Sequence, residues 1–162
     1  MTPEGVARAL AAPGQPQAAL AALDAALAAM VGHRLFTVLA LDAPHERNRR
    51  FYSSRPAEYP VGGYKPVARD GEYYRTVIDA GEPRFIPDRA GIVRAFPDHA
   101  LILSLGCESA VNMPIRWDGR TLGALNLLDV AGHYSEAQLP ALRLLAALAI
   151  APLLRILEES PT

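Results

Sequence analysis

Cysteine, tryptophan and lysine are scarce in this sequence. The chain of 162 residues contains one cysteine, Cys107, one tryptophan, Trp117, and a single lysine, Lys65. One thiol excludes an internal disulfide framework and any zinc site that needs a pair of cysteines. Because the N-terminus also lacks the pattern of an export signal, we expect a cytoplasmic protein.

An excess of charge and long apolar runs are also lacking. Sixteen basic and seventeen acidic residues give a net charge of −1, whereas domains that bind nucleic acid non-specifically are strongly basic. The longest apolar run, residues 144–154, is shorter than the roughly 20 residues of a membrane-spanning helix. We therefore expect neither nucleic acid nor a membrane as a partner.

The composition is typical of one globular domain. Hydrophobic residues make up 51% of the chain and charged residues 20%, which argues against disorder. The length fits a single domain of common size. Prolines and glycines in residues 1–16 predict a flexible lead-in, which leaves residues 17–158 as the domain and residues 159–162 as a tail.

Hydrophobic spacing predicts helices at both ends of the domain and strands between them. Leucines three and four residues apart indicate a helix over residues 17–31, ended by Gly32. Pro152 is expected to kink the last helix, residues 136–158. The other predicted elements are strands at 33–42, 49–54, 84–86, 108–117 and 121–128, a loop at 55–67, and short helices at 70–80 and 98–105.

The order of these elements predicts an α+β fold with an antiparallel sheet of about five to six strands. Asp118-Gly119 is the two-residue turn that favours a hairpin. Helices at both termini can pack together on one face of the sheet. Residues 56–106, made of loops and short helices, must then cover the other face.

The second hairpin carries a family resemblance. Residues 109–129 (SAVNMPIRWDGRTLGALNLLD) contain an apolar alternation, Pro114-Ile115, a glycine turn and the run Leu122-Gly123-x-Leu125-Asn126. This pattern resembles the C-terminal hairpin of GAF domains, and the likeness extends over about residues 17–158. It implies a small-molecule sensing module with its ligand between the sheet and the middle segments. It also implies a homodimer through the terminal helices. Members of the family usually work beside an output domain, and because these 162 residues leave no room for one, we expect either a separate output protein or a module with its own chemistry.

Tyrosines concentrate in the segment that would cover the ligand. A binding pocket is largely apolar with a few placed polar groups, and tyrosine supplies both. We therefore expect Tyr52 and Tyr74 to line the pocket and Tyr64 to lie in a lid formed by the loop rich in proline and glycine. The ligand itself, and any cofactor, stay unknown.

Charged residues of the cover segment are further candidates for contacts with a ligand. Arg94 has the planar fork that clamps a carboxylate or a phosphate, or it forms a surface ion pair with Asp88 or Asp98. Asp88 and His99 are candidates because they lie in the same segment. No two histidines have the spacing of metal ligands, so we assign no metal site.

Two asparagines interrupt the apolar strands of the second hairpin. A buried amide left unpaired costs about 1–3 kcal/mol, so either the protein or a ligand must bind each one. Alternation places Asn112 with Ala110 and Pro114 on the ligand side of the sheet, as a candidate for either role. Asn126 is expected to be structural, because the family often has asparagine at this position.

Cys107 is a candidate for contact with the ligand and the obvious nucleophile, but its neighbour Glu108 disfavours the thiolate. The leading hypothesis is therefore a ligand-binding sensory module with no catalytic residue. The alternative is an enzyme of the same fold, redox or small-molecule-transforming, that uses Cys107 or His99. A third hypothesis is a partner module without a ligand, whose helices dock another regulator.

The last helix is apolar over most of its circumference. Leu139, Leu142, Ala146, Ala149 and Leu153 form a seam with steps of three and four residues, as in a coiled coil, and other leucines lie off that seam. A helix that is apolar all round is buried on both sides. The sheet covers one side, and the other requires the first helix or a second subunit, which favours a homodimer.

Overall fold

The computed structural model describes residues 1–159 and contains a single six-stranded sheet with helices on both faces. A π-helical segment, Tyr74–Asp79, and two short 3-10 helices, Ala43–His45 and Glu136–Gln138, complete the secondary structure. The strands are β1 (Leu35–Asp42), β2 (Arg47–Ser53), β3 (Tyr64–Pro66), β4 (Arg84–Ile86), β5 (Ser109–Trp117) and β6 (Arg120–Asp129). The helices are α1 (Pro3–Ala11), α2 (Gln17–Met30), α3 (Arg89–Ala95), α4 (His99–Ser104), α5 (Leu139–Leu148) and α6 (Ile150–Glu159).

The sheet is antiparallel throughout, with the strand order β3-β2-β1-β6-β5-β4. The first and last long hairpins therefore meet at its centre, where β1 pairs with β6. Asp118 and Gly119 turn the second hairpin with φ angles of 51° and 73°. Positive φ at both positions is the geometry of the favoured two-residue turn, so the predicted α+β fold and its hairpin are confirmed.

One face of the sheet packs on the terminal helices, as predicted. Val111, Met113 and Ile115 of β5 point to this side and join Phe36 and Val38 of β1 in the main hydrophobic core. Helices α2, α5 and α6 supply the opposing leucines and alanines. We refer to this side as the helix face.

The helices and loops of residues 54–106, outside the edge strands β3 and β4, lie over the opposite side of the sheet, which we call the cover face. A second, smaller core forms there beneath α3 and α4 from Ile92, Ile102, Cys107, Ala110 and Leu128. The remainder of the cover face, toward β2 and the π-helical segment, carries buried polar side chains instead. The two faces of one sheet thus have different chemistry.

The expected flexible lead-in over residues 1–16 is wrong, because Pro3–Ala11 form a helix. The Thr2 hydroxyl caps this helix by accepting a hydrogen bond from the Gly5 amide, and Pro3 suits its first turn. Val6 is fully buried, and α1 packs on α2 and α5. Helix α1 therefore covers part of the last helix, whose second apolar side was expected to be covered by the first helix or by a second subunit.

Two short elements were not predicted. Residues 55–67 were expected to be a loop, but Tyr64–Pro66 pair with β2 as an edge strand. Helix α3 was missed, and Asp88 begins it by accepting a hydrogen bond from the Gly91 amide at 2.8 Å. The predicted helix at 70–80 is mostly π-helical.

The last helix is broken, as Pro152 led us to expect. Helix α5 ends at Leu148, α6 starts at Ile150, and the two axes differ by 43°. Pro152 cannot donate the backbone hydrogen bond that would continue the helix. Part of the predicted tail, residues 160–162, lies outside the described residues.

No single helix in residues 1–159 is long and apolar enough to span a membrane. The bent pair Glu136–Leu148 and Ile150–Glu159 passes that test only as two segments taken together, by length and composition. Leu142, Leu145 and Leu153 of this pair are buried in the main core.

Helix α1 is expected to be part of the stable domain. Replacing fully buried Val6 by alanine (Val6→Ala) removes two methyl groups and leaves a cavity, which should lower the free energy of unfolding by about 1.5–3 kcal/mol. Urea denaturation measures this. The matched control is Val93→Ala, since Val93 of α3 is 44% exposed. Equal stability of both variants would show that α1 is not integrated.

Candidate functional site

A row of polar side chains crosses the cover face from β4 to β2. Arg84, Asn112, Asn126, Thr37 and Ser53 are direct partners in the strand register, and all five are buried. The Arg84 Nε–H donates to Asn112 Oδ1 at 2.9 Å, and Asn112 Nδ2 donates to Asn126 Oδ1 at 2.6 Å. Asn126 Nδ2 reaches Thr37 Oγ1 at 3.5 Å.

This polar row bears on the roles expected of the two asparagines. Asn112 does face the cover side, as its alternation with Ala110 predicted. Both polar ends of its amide are bound by protein groups, Arg84 and Asn126. These bonds are those of the structural alternative for Asn112, while contact of Asn112 with a ligand stays a prediction, and the structural role expected of Asn126 fits the same row.

Arg84 is the member of the row that sequence reasoning missed. It is buried at the start of β4, where burial lowers the pKa of its guanidinium and Glu72, 4.0 Å away, opposes that shift. Its guanidinium also lies 5.4 Å from the Tyr73 ring. The only signal in the sequence is an arginine inside a short apolar strand.

Asp98, the residue directly before α4, binds two side chains from another part of the cover. Tyr59 lies in the loop before β3, and Lys65 lies in β3. Asp98 Oδ2 accepts hydrogen bonds from the Tyr59 hydroxyl at 2.6 Å and from Lys65 Nζ at 2.9 Å. Arg50 stacks on Tyr59, with 3.7 Å between the guanidinium carbon and the ring centre. Burial acts to raise the pKa of Asp98, but the Tyr59 and Lys65 contacts outweigh it and hold that pKa below its usual value.

Three buried polar atoms beside this contact lack hydrogen-bond partners in the described part of the chain. They are Asn48 Oδ1, Arg50 Nε and Asp98 Oδ1. An unsatisfied buried group costs about 1–3 kcal/mol. The interface between β2 and the cover therefore lacks hydrogen bonds at these three atoms within residues 1–159.

A cleft of about 760 Å³ opens at the end of the sheet where β1 finishes and β6 begins. We call it the end cleft. The cover side contributes the π-helical segment, and the helix face contributes α6. Its apolar wall consists of Leu41, Tyr64, Tyr74, Ile78, Leu122, Leu154 and Leu157.

Charged side chains also line the end cleft, three arginines together with the carboxylates of Asp42, Asp79 and Glu158. Arg49 comes from β2, and Arg116 and Arg120 flank the turn of the second hairpin. Arg116 is fixed by donating hydrogen bonds to Thr121 Oγ1 at 2.8 Å and to the Gly119 carbonyl at 3.1 Å. Thr121 in turn donates to backbone carbonyls of the π-helical segment, so that segment is held against the sheet.

Two of the predicted site residues meet in the end cleft. Tyr64 and Tyr74 both line it, and the Tyr64 ring packs 3.7 Å from the Arg47 guanidinium carbon. Tyr52 lies instead on the helix face, where its hydroxyl donates to Asp24 Oδ2 at 2.6 Å and its ring packs on Phe36. Burial and then the Asp24 bond raise the pKa of Tyr52.

The candidates of the cover segment lie away from the end cleft. Asp88 caps α3, as described above. Arg94 is exposed and has no ion pair within residues 1–159, so neither predicted pairing with Asp88 or Asp98 forms. His99 starts α4, with its Nδ1 2.9 Å from the Phe96 carbonyl oxygen, beside a shallow depression between α3 and α4.

Cys107 is fully buried in the smaller core. Burial, followed by the nearby Asp129 carboxylate, raises the pKa of its thiol to about 11. The thiol is thus protonated at neutral pH and shielded from solvent, which is the opposite of a reactive cysteine. No group of three histidine, cysteine or acidic side chains suited to a metal ion occurs in the described part of the chain.

Comparison with known proteins gives one family and many similar folds. The family model described as "GAF domain" matches residues 17–151. A GAF domain from an Acinetobacter phosphoenolpyruvate-protein phosphotransferase is 13% identical with a TM-score of 0.75, over 98% of this chain and 94% of that one. The corresponding domain from Coxiella burnetii is 19% identical with a TM-score of 0.71, over 97% and 93%.

The chromophore-binding domain of an unusual bacteriophytochrome from R. palustris is also similar in structure. It is 16% identical with a TM-score of 0.66, over 97% of this chain and 61% of that one. A search of curated proteins gave no match. At these identities the structural likeness concerns the fold alone.

The polar row should be important for stability. Asn112→Ala leaves the Arg84 Nε–H and Asn126 Oδ1 without their partners in a buried site, so we expect a loss of about 3 kcal/mol in unfolding free energy. Thr37→Val, at the weak 3.5 Å end of the row, is the control and should cost about 1 kcal/mol or less. Urea denaturation compares the two, and an equal cost would contradict a continuous row.

The Cys107 environment should make stability fall at high pH. The unfolded thiol ionises near about 8.5, whereas the folded pKa is about 11, so the unfolded state loses its proton first. Between these two values the free energy of unfolding should fall by about 1.4 kcal/mol per pH unit from this group. Cys107→Ala should show a correspondingly shallower slope in denaturation at pH 9–11, and an unchanged slope would refute the assignment.

Proposed function

The chain belongs to the GAF domain family, a family of sensory and ligand-binding modules, and from that premise we propose that it binds a small organic ligand in the end cleft. The observation that carries the proposal is the cleft itself, about 760 Å³ in volume and lined by Tyr64 and Tyr74. Pockets for small molecules typically have volumes of about 300–1,000 Å³ and mostly apolar walls with a few polar groups.

The walls of the end cleft link the cover to the last helix. Tyr74, Ile78 and Asp79 of the π-helical segment form one side, and Leu154 and Leu157 of α6 form another. A ligand that contacts both elements binds more tightly to the arrangement in which both are correctly placed, and so shifts the population toward it. We propose that in this way the position of α6 depends on whether a ligand occupies the end cleft.

The module is further proposed to act in trans as a cytoplasmic homodimer. Leu144 on α5 is 47% exposed, and α2, which packs against α5, carries the exposed alanines Ala21, Ala25 and Ala28. Small residues let two helices approach closely, and the exposed leucine supplies apolar area to bury. These features support pairing of two copies through the terminal helices.

Ligand binding is tested by native mass spectrometry after incubation with the low-molecular-weight fraction of a cell extract. We expect a non-covalent adduct on the wild-type protein that Ala43→Trp abolishes, because Ala43 is exposed and lines the end cleft. Ala11→Trp, at the exposed end of α1, is the control and should keep the adduct. A protein that stays bare would favour the partner module without a ligand.

Dimerisation is tested by size-exclusion chromatography with light scattering. The wild-type mass should be twice the 17.4 kDa of the chain, and Leu144→Glu should halve it, because a buried unpaired carboxylate is costly. Leu101→Glu, at a leucine of α4 that is 39% exposed, is the matched control and should remain dimeric. A wild-type monomer would refute the homodimer.

A further inference from the structure

The arginines of the end cleft differ from most others in the chain. Within residues 1–159, nine of the fifteen arginines lie within 4.0 Å of a carboxylate oxygen. Arg49, Arg116 and Arg120, which line the cleft, are not among them. Half of the arginines without a carboxylate partner are thus gathered at one cavity.

Two of these three arginines, Arg49 and Arg116, are half-buried as whole residues. The hydrogen bonds of Arg116 go to uncharged oxygens, those of Thr121, Gly119 and Ile78. The Arg49 guanidinium lies 5.2 Å from the Phe51 ring. Withdrawing a cation from water without an anionic partner is unfavourable.

The carboxylates near the cleft do not offset this charge at close range. Asp42 is already engaged, by His45 Nδ1 at 2.9 Å and by Arg47 Nε at 2.7 Å, and these contacts hold its pKa below the usual value against burial. Asp79 and Glu158 line the cleft but are exposed. Neither lies within 4.0 Å of the three arginines in the described structure.

Away from the arginines, the wall of the end cleft that would contact the body of a ligand is apolar and aromatic. Leu41, Ile78, Leu122 and Leu154 form the apolar wall, and Tyr64 and Tyr74 add two aromatic rings. Apolar surface removed from water on this wall contributes about 25 cal/mol per Å². An inorganic anion would satisfy the arginines but leave this surface uncovered.

We infer that the end cleft selects an organic acid, a molecule with an apolar body and a carboxylate that pairs with Arg49 and Arg120. The inference rests on the proposed function, since it names the ligand class of the same cleft. The exposed Arg120 can swing toward the carboxylate, while Arg49 is held on β2. Arg116 keeps the π-helical segment in place.

Isothermal titration calorimetry with matched acid and amide pairs tests this inference. The probes are phenylacetate and phenylacetamide, 1-naphthylacetate and 1-naphthylacetamide, and octanoate and octanamide, each titrated into the full chain. We expect at least one acid to bind about tenfold more tightly than its amide, because hydrogen bonds to charged groups are stronger than neutral ones.

Two double variants identify the site of selection. Arg49→Gln with Arg120→Gln should reduce the affinity for the acid about tenfold and leave the affinity for the amide unchanged. Arg94→Gln with Arg143→Gln removes the same charge at exposed arginines outside the cleft and should change neither. Changes in the NMR chemical shifts of the Gly119 and Thr121 backbone amides on addition of the acid locate the binding at the end cleft.

The outcomes separate the two claims. Acids and amides that bind the cleft with equal affinity would overturn the selection for organic acids and leave the proposed ligand site standing. Binding of none of the pairs, or shifts confined to residues outside the end cleft, would overturn the ligand site and the inference with it.

Discussion

The register of the central strands is the constraint on which the rest of the structure depends. Side chains alternate between faces, so a slip of one residue would exchange the polar and apolar faces of a strand. The hydrogen bonds from Arg84 through Asn112 and Asn126 toward Thr37 hold four strands in one register. That register also fixes the second hairpin, whose turn brings Arg116, Arg120 and Thr121 to the end cleft.

The two faces of the sheet differ in what covers them. The helix face is closed by α1, α2, α5 and α6 over a continuous apolar core. The cover face has a smaller core, a buried polar row and three polar atoms without partners within residues 1–159. The proposed ligand site lies at the border of the two layers and is lined by an element of each, the π-helical segment and α6.

The sequence was sufficient for the fold because the strongest patterns are local. The Asp118-Gly119 turn, the alternation in β5 and the leucine spacing of α2 each act over a few residues, and all three predictions are confirmed. The site was only partly accessible. Tyr52, Tyr64 and Tyr74 were chosen for their chemistry alone, whereas the strand register pairs Tyr52 with Val38 on the helix face, where its hydroxyl donates to Asp24. Arg49 of β2 and Leu154 of α6 are distant in the sequence, and tertiary packing brings both to the end cleft. A local sequence pattern cannot predict such packing.

We propose that a ligand in the end cleft acts on the cover and on the last helix together. Hydrogen–deuterium exchange of the protein, with and without the low-molecular-weight fraction of a cell extract, distinguishes a joint effect from a local one. Slower exchange should appear together in peptides from Tyr74–Asp79 and Ile150–Glu159, while Pro3–Ala11 and Arg89–Ala95 are unchanged. Slower exchange confined to residues 89–104, or none at all, would contradict it.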